Sequence, residues 1–179
     1  MTSKDMDHIV KKANKAFQQG KYHEAAEGFQ SAVDHYQTQN DNLMAAEMAN
    51  NLSVSLLKAG EAQPALDVLV GTEEIFDQAG ERVKHAMAIG NRAAALDALK
   101  LFDDAETAYL QSAELLKESG ETELHTFVMQ SLSALQMRKG RQIDAIINMR
   151  AGMEGIENPS LKQRILKKLL ELPFKFVGR

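Results

Sequence analysis

Two residue types in this chain could form a specific site: histidine, which can ligate a metal ion, and asparagine, whose amide both donates and accepts hydrogen bonds. The five histidines include His85 and His125, which lie 40 residues apart. A metal site would need a third ligand fixed nearby, and the closest acids, Glu81 and Glu121, are already explained by their favourable placement near helix N-termini. The sequence contains no glycine-rich phosphate loop, HExxH pair or GxSxG nucleophile motif. We therefore expect no metal, no cofactor and no enzymatic activity.

The charge is unevenly distributed along the chain, which bears on the partners it can bind. The net charge is −4, yet residues 161–179 carry six basic side chains against Glu171, so residues 1–160 carry −9. An acidic body repels phosphate backbones, which argues against nucleic-acid binding. Cysteine is absent, the first residues do not resemble a secretory signal, and no apolar run approaches the ~20 residues of a membrane span. These features favour a cytoplasmic protein.

Residues that permit a helix to end recur about every 20 positions. Glycine and asparagine tolerate the left-handed backbone conformation that closes a helix, and only Lys100 interrupts their series. The series consists of Gly20, Asn40, Gly60, Gly80, Gly120 and Gly140. Between these positions Ala, Leu, Glu, Lys and Gln dominate, and apolar residues recur at three- and four-residue spacing. Each segment therefore predicts one helix, and each 40-residue period predicts a helical hairpin.

Two places in each period hold small side chains, where paired helices can approach closely. In the first helices these residues are Ala13, Ser53, Ala93 and Ser133. Twelve residues later, in the second helices, they are Ala25, Ala65, Ala105 and Ala145. Four residues after each alanine comes a large apolar residue: Phe29, Leu69, Tyr109 and Met149. One hairpin cannot bury its apolar face alone, whereas stacked hairpins can.

This spacing of small, alanine and large residues resembles the tetratricopeptide repeat (TPR) family in its lengthened, 40-residue form. The best match is "KKANKAFQQGKYHEAAEGFQSAV", residues 11–33, whereas the fourth repeat is degenerate, with Met149 at the aromatic place. The resemblance covers about residues 6–156. It implies an all-α, right-handed superhelix of four helical hairpins, at about residues 4–40, 41–80, 81–120 and 121–157, followed by a C-terminal capping helix.

In the TPR family the first helices line a concave groove that binds partners, and the resemblance assigns groove positions to this chain. The candidate groove residues are Lys11, Asn14, Phe17, Asn50, Asn51, Met87, Asn91, Phe127, Gln130 and Arg138. An asparagine amide both donates and accepts hydrogen bonds, so it could hold the backbone of a peptide while Phe and Met supply apolar contact. Alternatively, the asparagines bond to the neighbouring helix and serve only the stack.

One TPR function can be tested on individual residues. Heat-shock co-chaperones of the family clamp a C-terminal carboxylate with two asparagines and several cations. Asn14 and Asn51 match the asparagines, but Val10, Met87 and Asn91 stand where the family has cations. Because cations bind a carboxylate, we do not expect this chain to act as a chaperone clamp.

The C-terminal segment departs from the 40-residue period. Asn158 suits an N-cap and Pro159 a first helical position, and together they predict a helix over 158–172. The apolar face of this helix would consist of Leu161, Ile165, Leu166, Leu169 and Leu170. It could cap the fourth hairpin. Alternatively, a basic amphipathic segment could dock on an anionic membrane or a partner, with the tail 173–179 contributing Phe174, Lys175, Phe176 and Arg179.

The sequence therefore favours a non-enzymatic scaffold that binds a protein or peptide in its concave groove. The alternative is a peripheral membrane or assembly factor whose basic C-terminus anchors it, with the repeats available for self-association into a homo-oligomer.

Overall fold

Helices and short connections make up the described chain. The computed structural model describes residues 3–154, 156, 159–166, 168 and 170. No strand lies among these residues, and the helices up to residue 151 are α1 (Ser3–Gln18), α2 (Tyr22–Thr38), α3 (Asn42–Ala59), α4 (Ala62–Asp67), α5 (Thr72–Gln78), α6 (Arg82–Ala98), α7 (Phe102–Glu118), α8 (Thr122–Arg138) and α9 (Gln142–Ala151). A terminal helix follows at residues 161–166. The predicted all-α class is confirmed.

The chain folds as two compact units, residues 1–108 and 109–179. In the first unit, α1 packs against α2, α2 against α3, and α3 against α4, α5 and α6. Helices α4 and α5 also pack against α6. In the second unit, α8 packs against α9, and α7 begins in one unit and ends in the other. Short turns join α1 to α2, α3 to α4 and α8 to α9, and the two helices of each of these pairs pack against each other as a hairpin.

The turns between helices have the left-handed backbone that their residue types predict. Positive φ angles occur at Gly20, Asn40, Gly60, Gly80, Lys100, Gly120 and Gly140. At Lys100 φ is +64°, although lysine has a β-carbon that disfavours this region. The register of the repeat therefore imposes the conformation even where the residue type opposes it.

Replacing Lys100 with glycine should raise the free energy of unfolding by about 0.5–1 kcal/mol. Glycine removes the steric cost of the left-handed conformation, which is about 1–2 kcal/mol. Part of this stabilisation is lost, because glycine increases the conformational entropy of the unfolded chain. Chemical denaturation measures the difference. The matched control is Lys58→Gly in the last turn of α3, which should lower stability by about 1 kcal/mol because glycine is a poor helix former. A loss of stability in both variants would contradict the strain at Lys100.

The small residues of the repeat are buried, and in two hairpins a hydrogen bond joins the paired helices beside them. All eight are at most 3% exposed. In the second hairpin the Ser53 hydroxyl donates a hydrogen bond to the Ala65 carbonyl oxygen at 2.7 Å. In the fourth, Ser133 donates to the Ala145 carbonyl at the same distance. The large residues that follow the alanines are buried in the first three hairpins, and Met149 is half-buried.

The second helix of the second hairpin departs from the continuous helix that was predicted. Residues 68–71 divide it into α4 and α5, and Gly71 has φ +82°. Glycine weakens a helix by about 1 kcal/mol relative to alanine. The Thr72 hydroxyl also donates to the Leu69 carbonyl at 2.8 Å and so stabilises the turn. Within this break, Val70 is 85% exposed.

The terminal helix begins at Leu161 rather than at residue 158. The Ser160 backbone N–H donates to Gln163 Oε1 at 2.7 Å, and the Gln163 N–H donates to Ser160 Oγ at 3.3 Å. This reciprocal pair is a capping box, so Ser160 provides the cap that was predicted for Asn158. Asn158 itself lies outside the described residues.

The predicted apolar face of the terminal helix is only partly covered. Leu166 and Leu170 are half-buried, whereas Leu161 is 71% and Ile165 52% exposed. Leu169 lies outside the described residues, as do the tail residues Phe174, Lys175, Phe176 and Arg179. The helix therefore presents apolar surface to solvent as well as to the protein.

Candidate interaction surface

An ion pair joins α3 and α6, which pack against each other in the first unit and carry several of the predicted groove residues. Lys84 Nζ lies 2.9 Å from Glu47 Oε2. Asn51 lies one turn after Glu47 on α3, and Met87 and Asn91 follow Lys84 along one face of α6. These five residues form what we call the α3–α6 face.

The two asparagine amides of this face reach the surface and form no hydrogen bond with another described residue. Met87 is 41% exposed, and Asn51 and Asn91 are half-buried. Within the described part of the chain, neither asparagine side chain has a hydrogen-bond partner, although the Asn51 backbone carbonyl accepts a bond from Ser55 Oγ. A half-buried amide that bonds to no neighbouring helix contributes no hydrogen bond to the stack, which disfavours the purely structural interpretation of these two residues.

Further carboxylates lie close to the beginning of the α3–α6 face. The hydrogen bond from Lys84 to Glu47 raises the pKa of Lys84, an effect that partial burial opposes. Burial raises the pKa of Tyr36, and the nearby carboxylates of Asp7, Asp41 and Glu47 raise it further. Asp7 on α1 and Asp41, the N-cap of α3, are thus close enough to act on the phenol and are the carboxylates at this end of the surface that favour a cationic group on a ligand, since Lys84 neutralises Glu47.

The predicted groove residues of α1 differ in accessibility. Lys11 and Asn14 are exposed. Phe17 is half-buried, packs against the core, and meets the Tyr22 ring edge-on, with centroids 5.4 Å apart. Its ring therefore contributes to the hairpin itself and leaves only part of its surface for a ligand.

Asn50 does not lie on the surface where it was predicted. Its side chain is only 7% exposed, because α3 is packed on several sides by α2, α4, α5 and α6. Its Oδ1 is buried and has no hydrogen-bond donor within the described residues. Asn50 is therefore an interior residue of the first unit, and Asn51 is the accessible amide.

The remaining predicted groove residues belong to the second unit, on α8. Phe127 is 68% exposed, and Gln130 lies exposed one turn later on the same face. Arg138, at the end of α8, is also exposed. The second unit therefore offers a large aromatic contact and polar groups of its own.

The two histidines at equivalent positions have different surroundings. His85 Nδ1 lies 3.6 Å from Asp77 Oδ1 in the first unit. In the second unit, His125 lines a cavity of about 440 Å³, and burial, together with the charge of Lys117, lowers the pKa of His125. Throughout the described residues, no three histidine or acidic side chains are arranged to hold a metal ion. Nor does any described helix have both the length and the apolar character required to cross a membrane.

Sequence reasoning missed the role of Lys84 in assembling this surface. The signal was present in the spacing, since Lys84 follows Glu47 by 37 residues. The residue of α6 that is equivalent to Glu47 is Met87, 40 residues later, and Lys84 lies one turn before it. A long basic side chain at that place can reach back to the carboxylate of the preceding first helix.

Comparison with known proteins identifies the fold but no family. No family model and no curated protein sequence matches the chain. Among solved structures, the apo form of RapI, a TPR-like helical-repeat protein, matches with a TM-score of 0.73 and 15% sequence identity. The match covers 96% of this chain and 65% of the RapI chain, so this chain spans just under two thirds of that protein. The likeness supports an all-α helical-repeat fold.

Proposed function

We propose that this chain is a non-enzymatic, TPR-type scaffold that binds a protein or peptide segment through the α3–α6 face. The observation that carries the proposal is the pair of accessible amides, Asn51 and Asn91, which have no partner in the described structure. The helical-repeat fold shared with RapI also favours a role in protein interaction. On α1, Lys11 and Asn14 extend the set of exposed polar groups.

The chemistry of the face suits a peptide backbone with an apolar side chain. Each asparagine amide can donate to a backbone carbonyl and accept from a backbone N–H. Met87 supplies a flexible apolar contact that adapts to different side chains. The carboxylates near Tyr36 would attract a lysine or arginine of the ligand. In the second unit, Phe127 is the corresponding apolar contact.

Removing both amides, by Asn51→Ala with Asn91→Ala, should weaken partner binding by about tenfold or more. Each lost hydrogen bond is worth about 1 kcal/mol, and about 1.4 kcal/mol corresponds to a factor of ten. The measurement is affinity capture from a lysate with quantitative mass spectrometry, followed by titration of the partner identified. A photo-crosslinking residue at Met87 should react with the same partner.

The two controls lie in the first unit but away from this face, one on α3 and one in the connection between α4 and α5. Asn42→Ala changes an exposed asparagine at the start of α3 that lines a separate cavity, and it should leave capture unchanged. A crosslinker at the exposed Val70 should not react with the partner. If a folded Asn51/Asn91 variant retains every partner, the α3–α6 face is not the binding site.

We further propose a cytoplasmic location. Docking of the basic tail on an anionic membrane stays a prediction, because the tail residues lie outside the described structure.

A further inference from the structure

The cavity of about 440 Å³ beside His125 has both apolar and charged walls. Residues from the end of α7, the first half of α8 and the end of α9 line it, all of them in the second unit. Its apolar lining consists of Leu110, Ala113, Met129 and Ala151. Its charged or titratable lining consists of Glu114, Lys117, His125 and Glu154. An apolar cavity of this size with a few convergent polar groups is typical of a small-molecule site.

The charged side chains of this cavity lie close together but do not pair. The charges of Glu114, Lys117 and Glu154 all act on the imidazole of His125, so the three groups lie near it. None of the four side chains forms a hydrogen bond or an ion pair with any other part of the chain that the structure describes. Charges of both signs therefore surround one cavity and are available to a ligand.

The other hairpins show that the stack does not require this arrangement. The residues at the places of Lys117 and His125 are Gln37 and Ala45 two hairpins earlier, and Asp77 and His85 one hairpin earlier. Gln37 and Ala45 line a cavity of about 290 Å³ in the first unit, where neither is charged. Asp77 and His85 pair with each other, with 3.6 Å between Oδ1 and Nδ1. Only the cavity beside His125 thus combines a histidine with a cation.

The electrostatics of the cavity favour an anion at one place and a cation at another. Burial lowers the pKa of His125, and the charge of Lys117 lowers it further, although Glu114 and Glu154 act in the opposite direction. The neutral imidazole can donate one hydrogen bond, so His125 and Lys117 together suit a carboxylate. The carboxylates of Glu114 and Glu154 suit an ammonium group.

We propose that this cavity binds a small zwitterion with an aliphatic body, of the class of a free aliphatic amino acid. Its carboxylate would contact Lys117 and His125, and its ammonium group Glu114 and Glu154. A purely anionic ligand would be repelled by two carboxylates, and a purely cationic one by Lys117. The aliphatic body would cover Leu110, which is 48% exposed. The site belongs to the second unit and does not depend on the function proposed for the α3–α6 face.

Titration of the full-length chain with leucine tests the site, and three analogues test each contact. N-acetyl-leucine lacks the ammonium group, leucinamide lacks the carboxylate, and glycine lacks the aliphatic body. Isothermal titration calorimetry should show that leucine binds and that each analogue binds about tenfold more weakly or worse. A hydrogen bond to a charged group, or the burial of an aliphatic side chain, accounts for a factor of this size.

Variants of the charged groups assign each contact to its residues. Lys117→Gln introduces the residue of the first-unit cavity, and it should weaken leucine by about tenfold or more but leave leucinamide unchanged. Glu114→Gln with Glu154→Gln should weaken leucine by a similar factor but should not weaken N-acetyl-leucine. Asn42→Ala, in the first-unit cavity, should leave leucine binding unchanged. Circular dichroism verifies that each variant is folded.

The affinity for leucine should also rise as the pH falls from about 7.5 to about 5.5. A bound carboxylate favours the protonated imidazole, so binding should raise the pKa of His125 and take up a proton. NMR titration of the His125 imidazole resonance, with and without leucine, measures this change. His125→Ala introduces the residue at position 45 and should remove the dependence on pH.

Several results would overturn the proposal. A chain that does not bind leucine at millimolar concentration has no such site. Equal binding of leucine and N-acetyl-leucine, or of leucine and leucinamide, would contradict recognition of a zwitterion. A folded Lys117→Gln variant with wild-type affinity would place the ligand elsewhere, and tighter binding of dileucine would assign the cavity to a peptide. Because all these variants keep Asn51 and Asn91, capture through the α3–α6 face should not change, so the two proposals can fail separately.

Discussion

Replacing Phe76 with alanine should lower the free energy of unfolding by about 3–5 kcal/mol. The ring is fully buried and packs with Ala46 of α3 and Ala88 of α6. These two buried neighbours have small side chains on regular helices, so they cannot move in to fill the cavity that the ring would leave, and Leu43 and Ile75, which pack against the same cluster, are only partly buried. The loss therefore includes both the transfer of the ring and the unfilled cavity. Chemical denaturation followed by circular dichroism measures it.

The matched control is the same substitution at Phe127, which is 68% exposed. Phe127→Ala should change stability by no more than about 0.5 kcal/mol, because an exposed ring forms few contacts that folding creates. The two variants also separate stability from function, since Phe127 is a proposed contact for a partner. Equal losses of stability in the two variants would show that Phe76 is not the packing centre of its region.

The hairpins could be predicted because their determinants recur at one spacing. A helix-ending residue every 20 positions and a small residue at each close contact are local features that the sequence displays directly. Lys100 is the informative case. Its residue type argues against a left-handed backbone, yet the repeat places a turn there, and the backbone adopts the left-handed conformation with φ +64°. Repetition therefore outweighs the preference of a single residue.

The break at Gly71 was missed for the same reason. Because the repeat predicts one helix between successive turns, residues 61–80 were predicted as a single helix. The break depends on one glycine, and the equivalent residues of the other second helices are Ser31, Gln111 and Ala151. Phe76 was also overlooked. It lies eleven residues after its docking alanine, as do Tyr36 and Leu116, so a third repeated position of large residues was present in the sequence.

The surface was less predictable than the hairpins because it depends on packing between helices. Asn50 and Asn51 are adjacent in sequence, but about 100° of rotation separates them on a helix, and only one is accessible. The contacts that decide which one faces outward come from four other helices. Ile143 and Ile147, which are exposed on α9, illustrate the same limit, since a sequence pattern does not distinguish an apolar residue in the core from one at the surface.

A second large effect is expected at the close contact between α3 and α4. Ala65→Leu should lower the free energy of unfolding by about 3 kcal/mol. Ala65 has no exposed surface, and its carbonyl oxygen accepts the Ser53 hydroxyl at 2.7 Å. Added methylenes in a close-packed contact typically cost about 1–3 kcal/mol, and separating the helices also removes a buried hydrogen bond worth about 1 kcal/mol.

Two further variants separate helix spacing from hydrogen bonding as the cause. Ser53→Ala should cost only about 1 kcal/mol, because it removes the hydrogen bond but keeps a small side chain, as Ala13 and Ala93 do in the first and third hairpins. Ala98→Leu, at an exposed position of α6, should be nearly neutral. The first hairpin supports helix spacing as the larger of the two effects, since a β-carbon added to Gly28 would lie 2.7 Å from the Ala13 β-carbon. If Ala65→Leu were no more costly than Ser53→Ala, the hairpins would not depend on close approach at their small residues.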